Sequence, residues 1–324
     1  MKWLIGLSIV FVGCAMVWNA ALTPVMVPAA VSIVVAPGER TDSIVNNLYE
    51  HQLIKNKLLF KTYVWTMYRG QTLKAGEYTF AGQLSLPTLV HQLIVGSGKQ
   101  EVVLRIIEGW TNRQIAGYLL SQGIGTENTI LTSLSHDWSS RFDFLTPGQS
   151  LEGFLFPDTY RVFRDAAPSD VIEKMLMQFN KKFPIGLREE ARQKGLTLHE
   201  VVTLASILER EVRSDLDRAR VADIFYRRME KGMPLQADST VNYVTGKNTP
   251  SVSGVDLAID SPYNTYKHKG LPPTPISNPG LASLVASLHP EKNAYWFFLT
   301  PKDGTVIYSK TFEEHVRNKR RYLQ

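Results

Sequence analysis

The N-terminal segment constrains this chain most strongly, because a long stretch of it carries no charge. From Trp3 to Gly38 there is no charged residue, and Trp3–Leu22 is almost entirely apolar. A helix needs roughly 20 apolar residues to cross the hydrocarbon core of a membrane. The sequence therefore predicts a transmembrane anchor, with residues 1–30 forming the anchor and a linker.

The charges that flank this segment predict its orientation. Lys2 and the amino terminus are positive, which favours an N-terminus inside the cell and everything after Thr23 outside it. Two alternatives stay open: a cleaved signal peptide, whose apolar region is shorter, and a lipoprotein modified at Cys14. Phe11 stands where a lipoprotein signal usually has Leu.

Composition and charge exclude several classes of protein. The chain has 324 residues, 44% hydrophobic and 20% charged, which is typical of a globular protein with a substantial core. Its net charge of +6 is spread out, with one local cluster over residues 319–321, so we expect no nucleic-acid partner. Cys14 is the only cysteine, and Thr203 stands where a zinc-protease helix starting at His199 would need its second histidine. We therefore predict no metal and no cofactor.

A small α+β module is predicted over residues 31–101. A β-branched run at residues 31–36 predicts a strand that ends at the turn Pro37-Gly38. One helix is expected to start at Thr41 or Asp42, and a second at Asn56 or Lys57. Residues 76–80 predict a returning strand, and residues 86–95 a further amphipathic helix. The order strand, helix, helix, strand resembles a LysM-like carbohydrate-binding fold.

The remainder, residues 102–324, is predicted to be a larger mixed α/β domain. Its best-specified helix starts at a capping box formed by Thr197 and Glu200, and apolar residues then repeat at helical spacing. A helix capped by Asp170, one that starts near Ser214 and one over residues 281–288 are also expected. The polar stretch 133–150 and the segment after Gly232 are predicted to be loops. Residues 102–107, 295–300 and 305–309 are predicted to be strands.

Two acids lie close together on the best-specified helix, Glu209 and Glu211. Residues two apart on a helix point about 160–200° away from each other, so only one of them can face a given substrate. Arg213 is well placed for a surface ion pair with Glu209. Glu211 has apolar residues one turn back and Asp215 four residues on, and both kinds of neighbour raise the pKa of a carboxyl group. We therefore predict that Glu209 is a surface residue and that Glu211 is a general acid.

The same helix carries a resemblance to a known family. LASILEREV, RVADIFYRRMEKGMPLQADSTVNY and SPYNTYKHKGLPPTPISNPG, together with KAGEY, IIEGW and LEGFLFPDTY upstream, resemble the YceG-like endolytic murein transglycosylase family. The similarity covers essentially the whole chain, and it implies that the catalytic glutamate is Glu211. Val212 replaces a usual Thr, Arg210 a usual Lys and Ser239 a usual Pro.

The resemblance implies a lyase that cuts the β-1,4 bond between MurNAc and GlcNAc in peptidoglycan. One carboxyl group would protonate the leaving oxygen and then take a proton from the sugar's own primary hydroxyl, which leaves a 1,6-anhydro-MurNAc end. Hydrolases need a second carboxylate, so one acid fits the lyase better. The implied partners are glycan strands and peptidoglycan synthases at the outer face of the inner membrane, where the enzyme would set strand length.

Other residues are predicted to line the cleft. Glu152 is the next acid placed there, and Gly153 would allow a close approach of the backbone. Phe154, Phe156 and Tyr160 either offer aromatic faces to sugar rings or form core. Polar and aromatic loop residues that could contact substrate are Gln236, Asp238, Tyr263, Asn264 and Tyr266.

Two alternative functions stay open at this point. A non-catalytic anchor would bind glycan through the LysM-like module alone. A peptidoglycan glycoside hydrolase would need a second carboxylate opposite Glu211, and Glu152 is the candidate for it.

Overall fold

The computed structural model describes residues 23–96, 101–247, 252–301 and 303–323. It divides into two compact units, one up to Val102 with Phe163–Asp165 and the other formed by Val103–Val162 and Ala166–Gln324. Within the described ranges, no helix has both the length and the apolarity that crossing a membrane requires. The predicted anchor over Trp3–Leu22 and the alternative at Cys14 lie outside those ranges.

In its described residues, the first unit contains a two-stranded antiparallel sheet and three helices. Strand β1 pairs with β2 from Val25↔Leu84 to Val35↔Gly76, with an irregularity between Val27 and Val31. The elements are β1 (Val25–Val35), α1 (Thr41–Glu50), α2 (Lys57–Met67), β2 (Gly76–Leu84) and α3 (Leu86–Val95). The predicted order of strand, helix, helix, strand is confirmed. Strand β1 begins six residues before the predicted start.

Apolar side chains from each of these elements form one buried cluster. Ile44, Val45 and Leu48 form the buried face of α1, as their spacing predicts. Asn56 caps helix α2, and its side chain accepts a hydrogen bond from the N–H of Leu58 at 2.8 Å. Local capping and a single apolar face therefore specify this unit.

The second unit holds most of the helices. Its elements are β3 (Glu101–Arg105, which begins two residues before this unit), α4 (Asn112–Ser121), α5 (Glu127–Ser135), β4 (Thr159–Phe163, whose last residue is assigned to the first unit), α6 (Pro168–Lys182), α7 (Ile185–Gln193), α8 (Leu198–Glu211), α9 (Asp215–Glu230), α10 (Asp238–Thr245), α11 (Gly254–Ala258), α12 (Leu281–Leu288), β5 (Phe297–Leu299), β6 (Ile307–Ser309) and α13 (Phe312–Tyr322). Strands β3 and β4 form one two-stranded sheet, and β5 and β6 form another.

Helix α8 lies at the centre of this unit. Residues 201–208 are all buried, and the helix packs against α7, α9, α10 and α12. The predicted capping box is confirmed: the Glu200 N–H donates to Thr197 Oγ1, and the Thr197 N–H donates to Glu200 Oε2 at 2.8 Å. A helix buried on all sides belongs to the core. It therefore fixes the position of the acids at its C-terminal end.

Three local predictions are wrong. The stretch 133–150 is not a surface loop throughout, because Trp138, Phe142 and Phe144 are buried in it. Asp170 is not the cap of α6, which starts at Pro168 after Ala167. The segment after Gly232 contains helices α10 and α11 as well as loops.

Candidate active site

Glu211 is the last residue of helix α8 and lies in the second unit. Its carboxylate Oε1 accepts the backbone N–H of Ser239 at 3.2 Å, and its main-chain oxygen accepts the Thr300 hydroxyl at 3.3 Å. Ile207 and Leu208, one turn back, are completely buried, as predicted. The end of a core helix therefore presents one carboxyl group to the start of helix α10.

Burial raises the pKa of Glu211 above its ordinary value of 4.5. The N–H and the nearby hydroxyl of Ser239 and the charge of Arg210 act in the opposite direction, and the Asp238 charge adds to the rise. The like charge was predicted to be Asp215, and that assignment is wrong, because Asp215 forms an ion pair with Arg218 at 2.9 Å. A carboxyl group that keeps its proton more readily than usual is suited to general acid chemistry.

Glu209 is not a surface residue, which corrects the sequence prediction. Its side chain is only 6% exposed and forms an ion pair with Arg218 at 2.9 Å. The same carboxylate also accepts the Gly280 N–H at 2.9 Å and the Ser283 hydroxyl at 2.8 Å. The predicted partner Arg213 is therefore replaced by a residue of the next helix, and Glu209 joins helices α8, α9 and α12.

Glu152 is buried, 5% exposed, within a network of neutral donors. Its Oε1 accepts the Asn112 N–H at 3.0 Å and the Asn278 side-chain amide at 3.4 Å, and its Oε2 accepts the Tyr243 hydroxyl at 3.3 Å. Burial raises the pKa of Glu152 to about 7, against the opposing effect of these hydrogen bonds and of Arg210. Near neutral pH this second carboxyl group is therefore only partly ionised.

The backbone around Glu152 requires a glycine next to it. Gly153 has a φ of +91°, and a Cβ there would lie 2.6 Å from the ring of Pro275. The Gly153 N–H donates to Asn278 Oδ1 at 3.0 Å. The predicted close approach of the backbone is confirmed, and it brings the LEGF segment against the segment that carries Asn278.

Arg210 connects the two acids electrostatically. Its positive charge opposes the rise in pKa of both Glu152 and Glu211. Its guanidinium Nη1 donates to the main-chain oxygen of Gly109 at 3.3 Å. In the sequence, Arg210 is only a departure from the family pattern, without a predicted role. Its position between Glu209 and Glu211 in the sequence is the signal that could have identified it.

Asp238 and Tyr266 lie beside Glu211, on α10 and in the loop after α11. The Tyr266 hydroxyl donates to Asp238 Oδ1 at 2.6 Å. Gln236, two residues before Asp238, is exposed and has a φ of 54°. Left-handed backbone is uncommon for residues other than glycine, and it concentrates at functional sites. Two of the predicted substrate-contacting residues, Asp238 and Tyr266, therefore interact electrostatically with the candidate acid, and Gln236 lies two residues before Asp238.

Tyr263 and Asn264 take part in the structure of their own loop. Asn264 is 1% exposed, and its amide nitrogen donates to the main-chain oxygens of Leu257 at 3.0 Å and Ile259 at 2.8 Å. The Tyr263 hydroxyl lies 2.7 Å from Thr274 Oγ1, and its ring packs against Tyr243 with centroids 5.1 Å apart. Their contact with substrate stays a prediction.

The aromatic residues after Glu152 form core, which decides between the two interpretations above. Phe154, Phe156 and Tyr160 are 1%, 5% and 8% exposed. Phe154 packs against Phe179 at a centroid distance of 5.2 Å. Their faces are therefore not open to a sugar ring.

The site thus contains one carboxyl group with a raised pKa and a second one held by neutral donors. Four further residues of this site could not be predicted from the sequence: Ser239, Tyr243, Asn112 and Asn278. No helical or strand spacing relates these residues to Glu152 or Glu211. Within the described ranges, no group of three or more His, Cys, Asp or Glu residues is arranged to hold a metal ion.

Comparison with known proteins gives consistent similarities. The model of the YceG-like family matches residues 33–321. An endolytic murein transglycosylase of Bacillus subtilis is 33% identical over 309 aligned residues, and the match covers 90% of this chain and 85% of that protein. One of Streptococcus pneumoniae is 31% identical over 89% of this chain and 57% of its own length. The crystal structure of a putative YceG-like protein from Listeria monocytogenes has a TM-score of 0.62 at 31% identity and covers 90% of this chain and 100% of that one.

Proposed function

The chain belongs to the YceG-like family, and on that premise we propose that it is an endolytic lytic transglycosylase that cuts peptidoglycan glycan strands. The observation that carries the proposal is the position of Glu211 at the end of the core helix, where burial raises its pKa. The relatives named endolytic murein transglycosylases support the choice of substrate.

In the proposed reaction Glu211 acts first as an acid and then as a base. Its proton goes to the glycosidic oxygen as the bond from that oxygen to C1 of MurNAc breaks. The resulting carboxylate then takes the proton from the C6 hydroxyl of the same MurNAc, whose oxygen bonds to C1. The product is a 1,6-anhydro-MurNAc end, no water is consumed, and Glu211 regains its proton. One group therefore serves both steps.

The environment of Glu152 supports the lyase over the hydrolase. A hydrolase needs a second carboxylate that is ionised and free to position water or attack the sugar. Glu152 is buried, is held by Asn112, Tyr243 and Asn278, and has a pKa of about 7. We propose that it orders the cleft instead, and that Gln236, Asp238 and Tyr266 contact the sugars, with Tyr263 and Asn264 shaping the adjoining loop.

The test compares the products of matched variants. Glycan strands are incubated with the wild type, with Glu211→Gln and with Glu189→Gln, which makes the same change at a half-exposed acid of α7. Mass spectrometry should find anhydro ends from the wild type and the control, and at least about 100-fold less from Glu211→Gln. Reducing ends would indicate a hydrolase, and the absence of cleavage by the wild type would indicate a binding protein.

We also propose that the first unit is a LysM-like module that binds glycan and that Trp3–Leu22 anchors the chain, with the catalytic unit outside the inner membrane. The order of elements in the first unit and the uncharged N-terminal stretch support these two proposals. Binding to isolated sacculi should fall when residues 31–101 are deleted, and unchanged binding would count against the module.

Protease accessibility of the second unit in spheroplasts tests the orientation of the chain in the membrane. Cross-linking in growing cells tests a contact with peptidoglycan synthases.

A further inference from the structure

Ser239 meets Glu211 from the start of helix α10. It is the second residue of that helix, it is 4% exposed, and its N–H donates to Glu211 Oε1 at 3.2 Å. The first backbone N–H groups of a helix have no partner within the helix. The carboxyl group of Glu211 therefore takes up a donor that α10 leaves free.

The hydroxyl of Ser239 adds a second observation. Among the described residues, Ser239 Oγ is buried without a hydrogen-bond partner. A buried hydroxyl that makes no hydrogen bond lowers the stability of the folded protein, so its presence at this position calls for an explanation. Both polar groups of Ser239 are close enough to the Glu211 carboxyl to favour its ionised form.

Two other charges of the described residues shift the pKa of Glu211. Arg210 on its own helix favours the ionised form, and Asp238 on α10 opposes it. Tyr266, from the loop after α11, donates to Asp238. Ser239 and Arg210 therefore favour the ionised form of Glu211, and Asp238 opposes it.

Among the described residues, no charge on the other helices packed against α8 is among the causes of the pKa shift of Glu211. Helix α12 (Leu281–Leu288) has no ionisable residue. On α9, Arg218 is paired with Glu209 and Asp215. On α7, Glu190 is bound to Lys194 and His289.

We propose, on the basis of the function proposed above, that Ser239 is a positioning residue for Glu211. The N–H of Ser239 holds the carboxyl group in one orientation. The buried hydroxyl of Ser239 is available as a hydrogen-bond partner when the carboxyl group changes its protonation state. A carboxyl group that first gives and then takes a proton needs a fixed orientation for both steps. A proline at this position would have neither an N–H nor a hydroxyl. The hydroxyl therefore depends on the serine, and the N–H depends on the absence of proline.

Two substitutions separate the two groups of Ser239. Ser239→Ala removes the hydroxyl and keeps the N–H, whereas Ser239→Pro removes both. Proline is tolerated in the first turn of a helix, so the fold should accept it. Since both groups favour the carboxylate, their loss should keep the proton on Glu211 to higher pH.

The proposal is tested on the full chain by two readouts. The first is the alkaline limb of the pH profile of kcat/KM for anhydro-product formation. We expect it to move up by about one pH unit in Ser239→Pro and by less in Ser239→Ala. The second is the carbon-13 NMR titration of the glutamate carboxyl carbons, in which the Glu211 signal is identified by its loss in Glu211→Gln. It should show the same order of midpoints without any need for activity.

The outcomes separate this proposal from the proposed function. An unchanged Glu211 titration and an unchanged alkaline limb in Ser239→Pro, with the melting temperature retained, would overturn the role of Ser239 and leave the function intact. If Ser239→Pro is too unstable to assay, an unchanged titration in Ser239→Ala overturns the role of the hydroxyl. A shifted titration in a chain whose wild type makes no anhydro ends would support the contact and refute the function.

Discussion

Replacing Glu152 by Gln should stabilise the protein at alkaline pH, because burial in the folded state works against the ionised carboxyl. The pKa of Glu152 rises from 4.5 to about 7 on folding. One unit of pKa is worth about 1.36 kcal/mol, so the ionised form costs the folded state about 3 kcal/mol. Gln keeps an oxygen for the Asn112 and Asn278 donors, and its amide can donate to the oxygen of Tyr243. It therefore imitates the protonated acid.

The sign of the effect follows from proton linkage. A carboxyl whose pKa is higher in the folded state contributes stability below pH 4.5, and this contribution is lost as the pH rises through about 7. The free energy of unfolding of Glu152→Gln minus that of the wild type should be constant below pH 4.5. It should then grow and level off near 3 kcal/mol above about pH 8.

Urea unfolding from pH 4 to pH 9 measures this difference. At pH 8.5 the midpoint of Glu152→Gln should lie about 1 M urea above that of the wild type. The control, Glu189→Gln, changes an exposed acid and should leave the midpoint within a few tenths of 1 M at every pH. Parallel pH profiles for Glu152→Gln and the wild type would refute the claim that Glu152 is desolvated. If Glu152→Gln also forms anhydro ends, Glu152 is not a catalytic carboxylate.

Two further substitutions test the neighbouring parts of the site. Glu209→Ala should lower the free energy of unfolding by about 3–5 kcal/mol in urea unfolding, because it leaves Arg218 buried without its main partner; a loss below 1 kcal/mol would contradict this. Gln236→Gly should raise stability by up to about 1 kcal/mol, because glycine adopts the φ of 54° without strain. It should also lower kcat/KM about tenfold if the side chain binds sugar, whereas Gln52→Gly, at a φ of 57° in the first unit, should raise stability alone.

Helices with a local signal could be predicted from the sequence. The capping box at Thr197 and Glu200 and the helix Leu86–Val95 were found because the residues that specify them are neighbours in the chain. Helix α10 was missed, since QADSTVNY is polar and rich in turn-forming residues. Its left-handed C-cap at Gly246 was the available signal.

The contacts of the two acids could not be predicted in the same way. The helical spacing of Glu209 pointed to Arg213, but its partner is Arg218, which comes from the next helix. The like charge near Glu211 comes from Asp238 instead of Asp215. Spacing along one helix predicts only the neighbours on that helix. The residues that contact Glu209 and Glu211 come mainly from other elements. The choice of Glu211 as the acid still rests on its apolar neighbours Ile207 and Leu208, which are buried as expected.

Burial alone does not decide what each acid of the second unit can do, because the donors around it differ. Glu209 receives a guanidinium, a backbone N–H and a hydroxyl within 2.9 Å, and the guanidinium supplies a full positive charge. Glu152 receives neutral donors at 3.0 Å or more, and its pKa lies at about 7. Glu211 receives a neutral N–H at 3.2 Å and faces Asp238. Glu209, with its charged partner, is suited to joining helices, whereas Glu211, with a neutral N–H donor beside Asp238, is suited to giving up and recovering a proton. The chain can therefore place two acids two residues apart on one helix and use them for different purposes.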